Sequence, residues 1–158
     1  MNESAPQRVV FDCPIYAQAL INPRGPAAAC LSLAQSGRIV LFISDYVVQE
    51  IRELPTKLKP KLGVTPERVE GLIHDLAKYA QVVENVPERY VHPFDADDSH
   101  YINLALATQS QLVVSRDKHL LNLMDQIREE ARDFVKRFPE LQIVEPQILL
   151  QMLKAEPR

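Results

Sequence analysis

The chain has 158 residues, of which 46% are hydrophobic and 25% charged, and its formal net charge is −3. This length fits one domain with its own core, which we take as residues 1–158, and the composition is typical of soluble globular proteins. The net charge excludes strong attraction of the whole molecule to nucleic acid, so contacts with phosphate must come from local basic patches or metal ions.

The sequence shows no pattern typical of a membrane segment, a signal peptide or a disulfide framework. No apolar run approaches the roughly 18–20 residues of a membrane helix, and the first residues lack the cationic and apolar regions of a signal peptide. Cys13 and Cys30 have no paired spacing, which argues against a zinc site or a disulfide scaffold. We therefore expect a cytoplasmic protein without membrane contact, with flexible termini at residues 1–7 and 154–158.

The first third of the chain predicts alternating strands and helices. The elements are a strand over residues 8–11, a helix over residues 26–36, a strand over residues 39–43, and a helix that starts after Ser44 and ends at Pro55. Pro26 suits a first helical turn and Gly37 a position just past a helix end, which supports the bounds of the first helix.

The rest of the chain continues this alternation. The predicted elements are a loop at residues 57–63, a helix from Thr65 to Ala80, a strand at 81–84, a helix at 98–109, a strand at 112–114, a long helix at 120–138, a strand at 142–144 and a helix at 147–153. The long helix rests on a heptad-like series of Leu120, Met124, Ile127, Ala131, Phe134 and Phe138. Strands that alternate with helices predict an α/β fold with a mostly parallel sheet of about five strands.

Four acidic residues stand where strands end or helices run: Asp12, Glu50, Asp98 and Asp117. In a parallel α/β fold such positions lie at the carboxyl edge of the sheet, where these proteins place their sites. Carboxylates that converge there repel one another and need a divalent cation, and Mg²⁺ and Mn²⁺ prefer oxygen ligands. The pattern predicts a Mg²⁺ or Mn²⁺ site and metal-assisted phosphodiester chemistry.

These acids also have structural explanations. Capping of the following helix is the alternative role for Asp12, Asp98 and Asp117. Glu50 is harder to explain in this way, because it shares the apolar stripe of its helix with Val47 and Leu54, and burying an unpaired carboxylate is costly. Asp97 is an alternative to Asp98, since the two acids are adjacent.

Several motifs together resemble one family. They are Val-Val-Phe-Asp12 after the first strand, the segment from Ser44 to Glu50, the Asp-rich turn at residues 95–98 before an Ala-rich helix, and Ser115-Arg116-Asp117 after a later strand. Over about residues 8–153 the chain resembles the PIN-domain nucleases, in particular the VapC-type toxins of toxin–antitoxin systems. In the family's register seven residues separate the catalytic aspartate from an alanine, as they do in Asp98 and Ala105, which favours Asp98 over Asp97.

The resemblance implies a PIN-like three-layer α/β/α sandwich and an endoribonuclease that cleaves single-stranded RNA through a metal-activated water. Its catalytic and metal-binding residues would be Asp12, Glu50, Asp98 and Asp117. Ser115 would hydrogen-bond a ligand or water, or else cap its turn. An antitoxin protein would hold such a toxin inactive, and a homodimer is a further expectation, with the heptad-like series as a candidate surface.

Candidate RNA contacts are basic residues near these acids: Arg52, Lys57, Lys59, Lys61, Arg116 and Lys118. Solvated surface positions would explain them equally. The histidines show no metal-ligand spacing, and we expect only His100, two residues after Asp98, to lie near the proposed site, on a helix surface.

The sequence departs from the family just after the first aspartate. The family has Thr or Ser followed by Asn there, whereas this chain has Cys13 and Pro14. The lost hydroxyl and carboxamide remove hydrogen bonds that could orient Asp12. The alternative function is therefore a weakly active or inactive PIN-like module that binds RNA or protein. A phosphatase of the haloacid-dehalogenase type is disfavoured, because it would need a second aspartate at Pro14.

Overall fold

The computed structural model describes residues 5–155 and has a central sheet of five strands, all parallel, flanked by helices. The strands are β1 (Gln7–Phe11), β2 (Ile39–Ser44), β3 (Gln81–Val83), β4 (Leu112–Val114) and β5 (Gln142–Val144). Their spatial order is β3-β2-β1-β4-β5. The predicted α/β fold with a mostly parallel sheet of about five strands is confirmed, and each of the pairings is parallel.

The helices follow the strands as the sequence predicts, with some differences in number and bounds. They are α1 (Cys13–Ile21), α2 (Pro26–Gln35), α3 (Asp45–Arg52), α4 (Leu54–Lys57), α5 (Pro66–Tyr79), α6 (Ser99–Ala107), α7 (Lys118–Leu121), α8 (Glu129–Arg137) and α9 (Pro146–Ala155). Short 3₁₀ turns occupy Pro60–Leu62, Ala96–Asp98 and Asn122–Met124.

The core lies on both faces of the sheet. Val9, Val10 and Phe11 are each at most 1% exposed, and successive side chains of a strand point to opposite faces. Helices therefore cover β1 on both sides, as is usual for parallel sheets. Cys13 and Cys30 are free thiols that are both buried in this core, as small apolar side chains are.

The strand order reverses direction at β1. The chain proceeds from β1 through β2 to β3 on one side of the sheet, and then crosses to β4 and β5 on the other side. The backbone N–H of Asp12 donates to Val114 O at 3.2 Å, so the carboxyl ends of β1 and β4 are adjacent. A crevice of this kind, at a topological switch point, is where open α/β sheets bind ligands.

Side-chain caps start four of the described helices, and one of them is the cap of α7 by Asp117. Ser44 Oγ accepts the Val47 N–H at 3.0 Å and Thr65 Oγ1 accepts that of Arg68 at 3.2 Å, so each residue caps the helix that the sequence predicts at that point. Asp12 caps α1, so its alternative role as a cap is observed, although the helix α1 itself was not among the predicted elements. The helix after Ser44 ends at Arg52 rather than Pro55, because Pro55 fits the first turn of the separate helix α4.

The predicted loop at residues 57–63 and the predicted long helix at 120–138 are both partly wrong. The first region holds the end of α4 and a 3₁₀ turn. In the second, the helix stops after Met124, where Asp125 is extended and its Oδ1 accepts the Ile127 N–H at 3.2 Å. A short Asp side chain that bonds nearby backbone competes with helix formation. The heptad-like series is thus not one seam, and Ile127 is 87% exposed.

The exposure of Ile127 gives a test of this break. We expect Ile127→Ser to change the free energy of unfolding by less than about 0.5 kcal/mol, as for other surface substitutions. Urea denaturation followed by circular dichroism measures this. A loss above about 1 kcal/mol would mean that Ile127 is buried, in a continuous helix or in a dimer.

The structure describes only part of the two terminal segments that were predicted to be flexible, residues 1–7 and 154–158. β1 already begins at Gln7 and α9 continues to Ala155, while residues 1–4 and 156–158 lie outside the described part of the chain. Between residues 5 and 155, the structure contains no helix of the length and apolar character needed to cross a membrane.

Candidate metal and active site

Asp12 lies directly after β1 at the switch point and is only 1% exposed. Its carboxylate accepts a hydrogen bond from Ser115 Oγ and one from the Ile15 N–H at 3.3 Å. Burial raises the pKa of Asp12 to about 7, and the carboxylates of Asp117 and Glu50 raise it further, while the two hydrogen bonds oppose this. Helix capping is thus part of its role, but capping alone does not require such burial.

Ser115 and Asp117 follow β4 on the other side of the crevice. Ser115 is fully buried, and its hydroxyl accepts the Asp117 N–H at 2.9 Å while it donates to Asp12. Asp117 is half-buried, and its Oδ1 accepts the His119 N–H at 2.7 Å. The single hydroxyl of Ser115 therefore caps its turn and also contacts a predicted metal ligand.

Glu50 reaches the same region from α3. Its side chain is 24% exposed, and Oε1 accepts a hydrogen bond from Tyr101 Oη at 2.9 Å. Tyr101 Oη in turn accepts the Cys13 N–H at 3.1 Å, so one buried hydroxyl connects Glu50 to the end of β1. Burial raises the pKa of Tyr101 well above its usual value, and the phenol therefore remains a donor to Glu50.

Asp98 immediately precedes α6 and makes no side-chain capping hydrogen bond, so the alternative role as a cap is not observed. Its Oδ2 is buried and has no hydrogen-bond partner among the described residues. Burial raises the pKa of Asp98 to about 7, with repulsion from Asp117, Asp95 and Asp12 adding to it. Asp97 is exposed instead, and these contrasts favour Asp98 as the ligand.

A tighter group of possible ligand atoms joins Asp98 to two residues that the sequence reasoning did not select. One ligand atom each from Asp95, Asp98 and His119 lies within 4.8 Å of the others. Asp95 Oδ2 is 3.0 Å from His119 Nδ1, and this contact lowers the pKa of Asp95 and raises that of His119. The available signal was the position of Asp95 one turn before Asp98 and of His119 two residues after Asp117.

His92 holds this group in place. It is 3% exposed, and its Nδ1 accepts the N–H groups of Phe94 at 3.0 Å and Asp95 at 3.2 Å. Because Nδ1 is an acceptor, Nε2 carries the proton and donates to the His119 carbonyl at 2.8 Å. His92 thereby ties the turn that carries Asp95 to the segment that carries His119.

His100 is also closer to the acids than a helix-surface residue would be. Its Nε2 is 3.4 Å from Glu50 Oε1, and its side chain is only 22% exposed. The expectation of a surface histidine is therefore wrong, because the ring packs between Tyr46 and Tyr101 at centroid distances of 4.5 and 3.8 Å. The expectation that only His100 lies near the site is wrong as well, given His119.

The four predicted acids thus come to one region, but they do not form a closed ligand set. Asp12, Asp98 and Asp117 act on one another electrostatically, and Glu50 acts on Asp12. Raised carboxyl pKa values and an unpartnered buried oxygen on Asp98 are features that a cation would relieve. The donor set of carboxylates with one imidazole therefore fits a divalent metal ion.

The six basic residues that the sequence analysis selected as candidate RNA contacts differ in whether they form ion pairs within the protein. Arg52 pairs with Glu70 at 3.2 Å, and Lys57 pairs with Glu53 at 3.0 Å. The remaining four are exposed or half-buried: Lys59, Lys61, Arg116 and Lys118. The pair with Glu53 raises the pKa of Lys57, and the charge of Glu50 adds to this effect.

Fold and side chains together define an α/β protein with a carboxylate-rich candidate metal site at its topological switch point. The PIN domain family matches residues 8–119, which is most of the chain. The chain therefore belongs to the PIN domain family, a family of nucleases.

Three individual proteins that resemble this chain are at most 28% identical to it. The uncharacterized protein MJ1680 of Methanocaldococcus jannaschii is 28% identical over 121 residues, which cover 75% of this chain and 76% of that protein. A chain of the VapBC2 complex from Rickettsia felis, solved with a DNA fragment from their promoter, matches with a TM-score of 0.52 and 13% identity, covering 87% of this chain and 98% of that one. At this identity the likeness shows the fold alone. The PIN domain endonuclease Utp24 gives a TM-score of 0.48 at 16% identity, over 90% of this chain and 86% of that one.

Proposed function

We propose that this protein is a Mg²⁺- or Mn²⁺-dependent endoribonuclease that hydrolyses single-stranded RNA. The observation that carries this proposal is the convergence of Asp12, Asp98 and Asp117 at the switch point, with pKa values of about 7 for the first two. Membership of a nuclease family supports the reaction type. The preference for single-stranded RNA comes from the resemblance of the motifs to VapC-type toxins.

The metal would be held by Asp12, Glu50, Asp98 and Asp117, with Asp95 and His119 as additional candidates. When bound, the ion supplies positive charge that lowers the pKa of a water and neutralises the reacting phosphate. Asp12 is held by Ser115 and Ile15, so its carboxylate is oriented before any ligand arrives. Tyr101 fixes one oxygen of Glu50 and leaves the other to bind.

The departure at Cys13 and Pro14 favours the second candidate, a PIN-like module that binds without cutting. The structure gives an argument against it, because Asp12 is oriented from two other directions. Ser115 donates to its carboxylate and the Ile15 N–H donates to it as well, while the Cys13 N–H is taken by Tyr101. These contacts support the proposal that Asp12 is oriented without the hydroxyl that the family has after the first aspartate.

The biological role forms the finer part of the proposal. The sequence resemblance supports a toxin of a toxin–antitoxin system that acts in the cytoplasm and is inhibited by an antitoxin protein. Arg52, Lys57, Lys59, Lys61, Arg116 and Lys118 would contact the RNA backbone. A homodimer stays a prediction, although the heptad-like series no longer supports it.

Cleavage of a mixed pool of single-stranded RNA tests the activity. We expect products with Mn²⁺ or Mg²⁺ and none with a chelator. Protein that binds the metal but leaves all RNA intact would support the binding module instead. Matched duplex RNA in a parallel reaction tests the preference for single strands.

Ser115→Ala tests whether Asp12 must be positioned. Loss of the hydroxyl removes the hydrogen bond to Asp12, and such supporting contacts typically contribute about 10- to 100-fold to metal affinity. We expect a loss of this size for Mn²⁺ in isothermal titration calorimetry. Ser32→Ala, at an exposed serine of α2, is the control. Unchanged affinity in Ser115→Ala would show that Asp12 is not a ligand or needs no orientation.

A further inference from the structure

We infer that a cavity beside the acids, at Tyr46, binds one unstacked nucleobase of the RNA and prefers bases that carry an exocyclic amino group. This inference rests on the proposed function, because it names a feature of the substrate of the same site. The cavity has a volume of about 440 Å³, which is within the range of small-ligand sites, and we call it the Tyr46 cavity. Its walls include Asp45, Tyr46, Glu88, Asp97 and His100.

The first argument is the exposed aromatic ring. Tyr46 is 59% exposed, which is a large apolar area for a side chain with no covering element among the described residues. The centroid of its ring lies 4.5 Å from that of His100, and the rings are tilted by 56°, so the exposed face of Tyr46 has a second aromatic ring at its edge. Proteins bind single-stranded RNA by stacking unpaired bases on such Tyr and His rings.

The second argument is that the Tyr46 cavity lies beside Glu50, one of the proposed metal ligands. Tyr46 and Glu50 are one turn apart on α3 and therefore share a face of that helix. His100 contacts both residues, with its Nε2 at 3.4 Å from Glu50 Oε1. A base stacked on Tyr46 would thus belong to a nucleotide next to the phosphate that faces Glu50.

The third argument is the charge of the walls. The residues that line the cavity, all within the described part of the chain, include Asp45, Glu88 and Asp97 but no lysine or arginine. Such walls repel phosphate and favour a neutral ligand that donates hydrogen bonds. Adenine, cytosine and guanine present amino groups to carboxylates, whereas uracil presents two carbonyl oxygens and a single N–H.

A tryptophan at the cavity gives a direct measurement. The chain contains no tryptophan, so Tyr46→Trp creates a single fluorescent reporter that keeps a stacking surface. The control is Ile127→Trp, at an 87% exposed position that does not line the cavity. This variant measures collisional quenching by nucleosides that do not bind. Both proteins are titrated with adenosine, cytidine and uridine in the presence of chelator, so neither phosphate nor metal contributes.

We expect saturable quenching by adenosine and cytidine only in Tyr46→Trp, at concentrations several-fold lower than for uridine. Equal quenching of the two variants, or equal quenching by uridine, would overturn the inference. In RNA cleavage, Tyr46→Ala should raise KM about tenfold with little change in kcat, and Tyr46→Phe should restore it. If the protein cleaves no RNA, the proposed function fails while the fluorescence result still decides the base site.

Discussion

Asp12→Asn should lower the rate of metal-dependent RNA hydrolysis at least about 100-fold, more than the loss of a supporting hydrogen bond does. Asp12 is the most buried of the proposed ligands and stands where β1 and β4 meet, so it has no exposed neighbour that could replace it. Asparagine keeps nearly the same shape and one acceptor oxygen for the Ile15 N–H, but it removes the negative charge. The measurement is the rate of cleavage of a labelled single-stranded RNA under single-turnover conditions with Mn²⁺.

The control for this prediction is Asp133→Asn, which removes one carboxylate from the exposed face of α8. It should cleave at the wild-type rate, which excludes a general effect of charge. Asp12→Asn protein that cleaves as fast as wild type after identical purification would point to a contaminating nuclease or to a site elsewhere. Residual activity of about one tenth would mean that Asp12 orients another group rather than binding the metal itself.

The second large effect concerns the stability of the metal-free protein. The pKa of Asp12 rises from 3.8 to about 7 on folding because of burial, so the folded state holds the proton more tightly than the unfolded chain does. The free energy of unfolding should therefore fall as pH increases from about 4 to about 7 and then level off. Asp98 shifts in the same direction and adds to the fall.

Asp12→Asn should remove about half of this pH dependence, because the similarly shifted pKa of Asp98 supplies the rest. At pH 8 in chelator, we expect the variant to be more stable than wild type by on the order of 2–4 kcal/mol, since the asparagine has no charge to bury. Saturating Mn²⁺ should reverse the order, because only wild type gains binding free energy. Urea denaturation at several pH values, with Asp133→Asn as control, measures both effects. A variant less stable than wild type at pH 8 would show that the Asp12 carboxylate serves mainly as a helix cap.

The sheet and most of its helices are local properties of the sequence. The strands at residues 8–11, 39–43 and 112–114 stand out because each contains an uninterrupted run of at least three apolar residues, which is typical of strands buried on both faces. The caps at Ser44 and Thr65 were predictable because a capping hydrogen bond spans only three residues. The prediction of one long helix failed for a related local reason, because the heptad-like spacing does not take into account that the Asp125 side chain can accept the Ile127 N–H and end the helix.

The sequence by itself determined the family motifs and which acids to consider, because their positions relative to strands and helices are local. Only the tertiary structure decided how these acids differ. Asp12 and Asp98 are held in low dielectric surroundings with raised pKa values, and Asp98 is joined by Asp95 and His119. Burial and mutual repulsion depend on which distant segments the strand order β3-β2-β1-β4-β5 brings together, and no spacing along the chain encodes those distances.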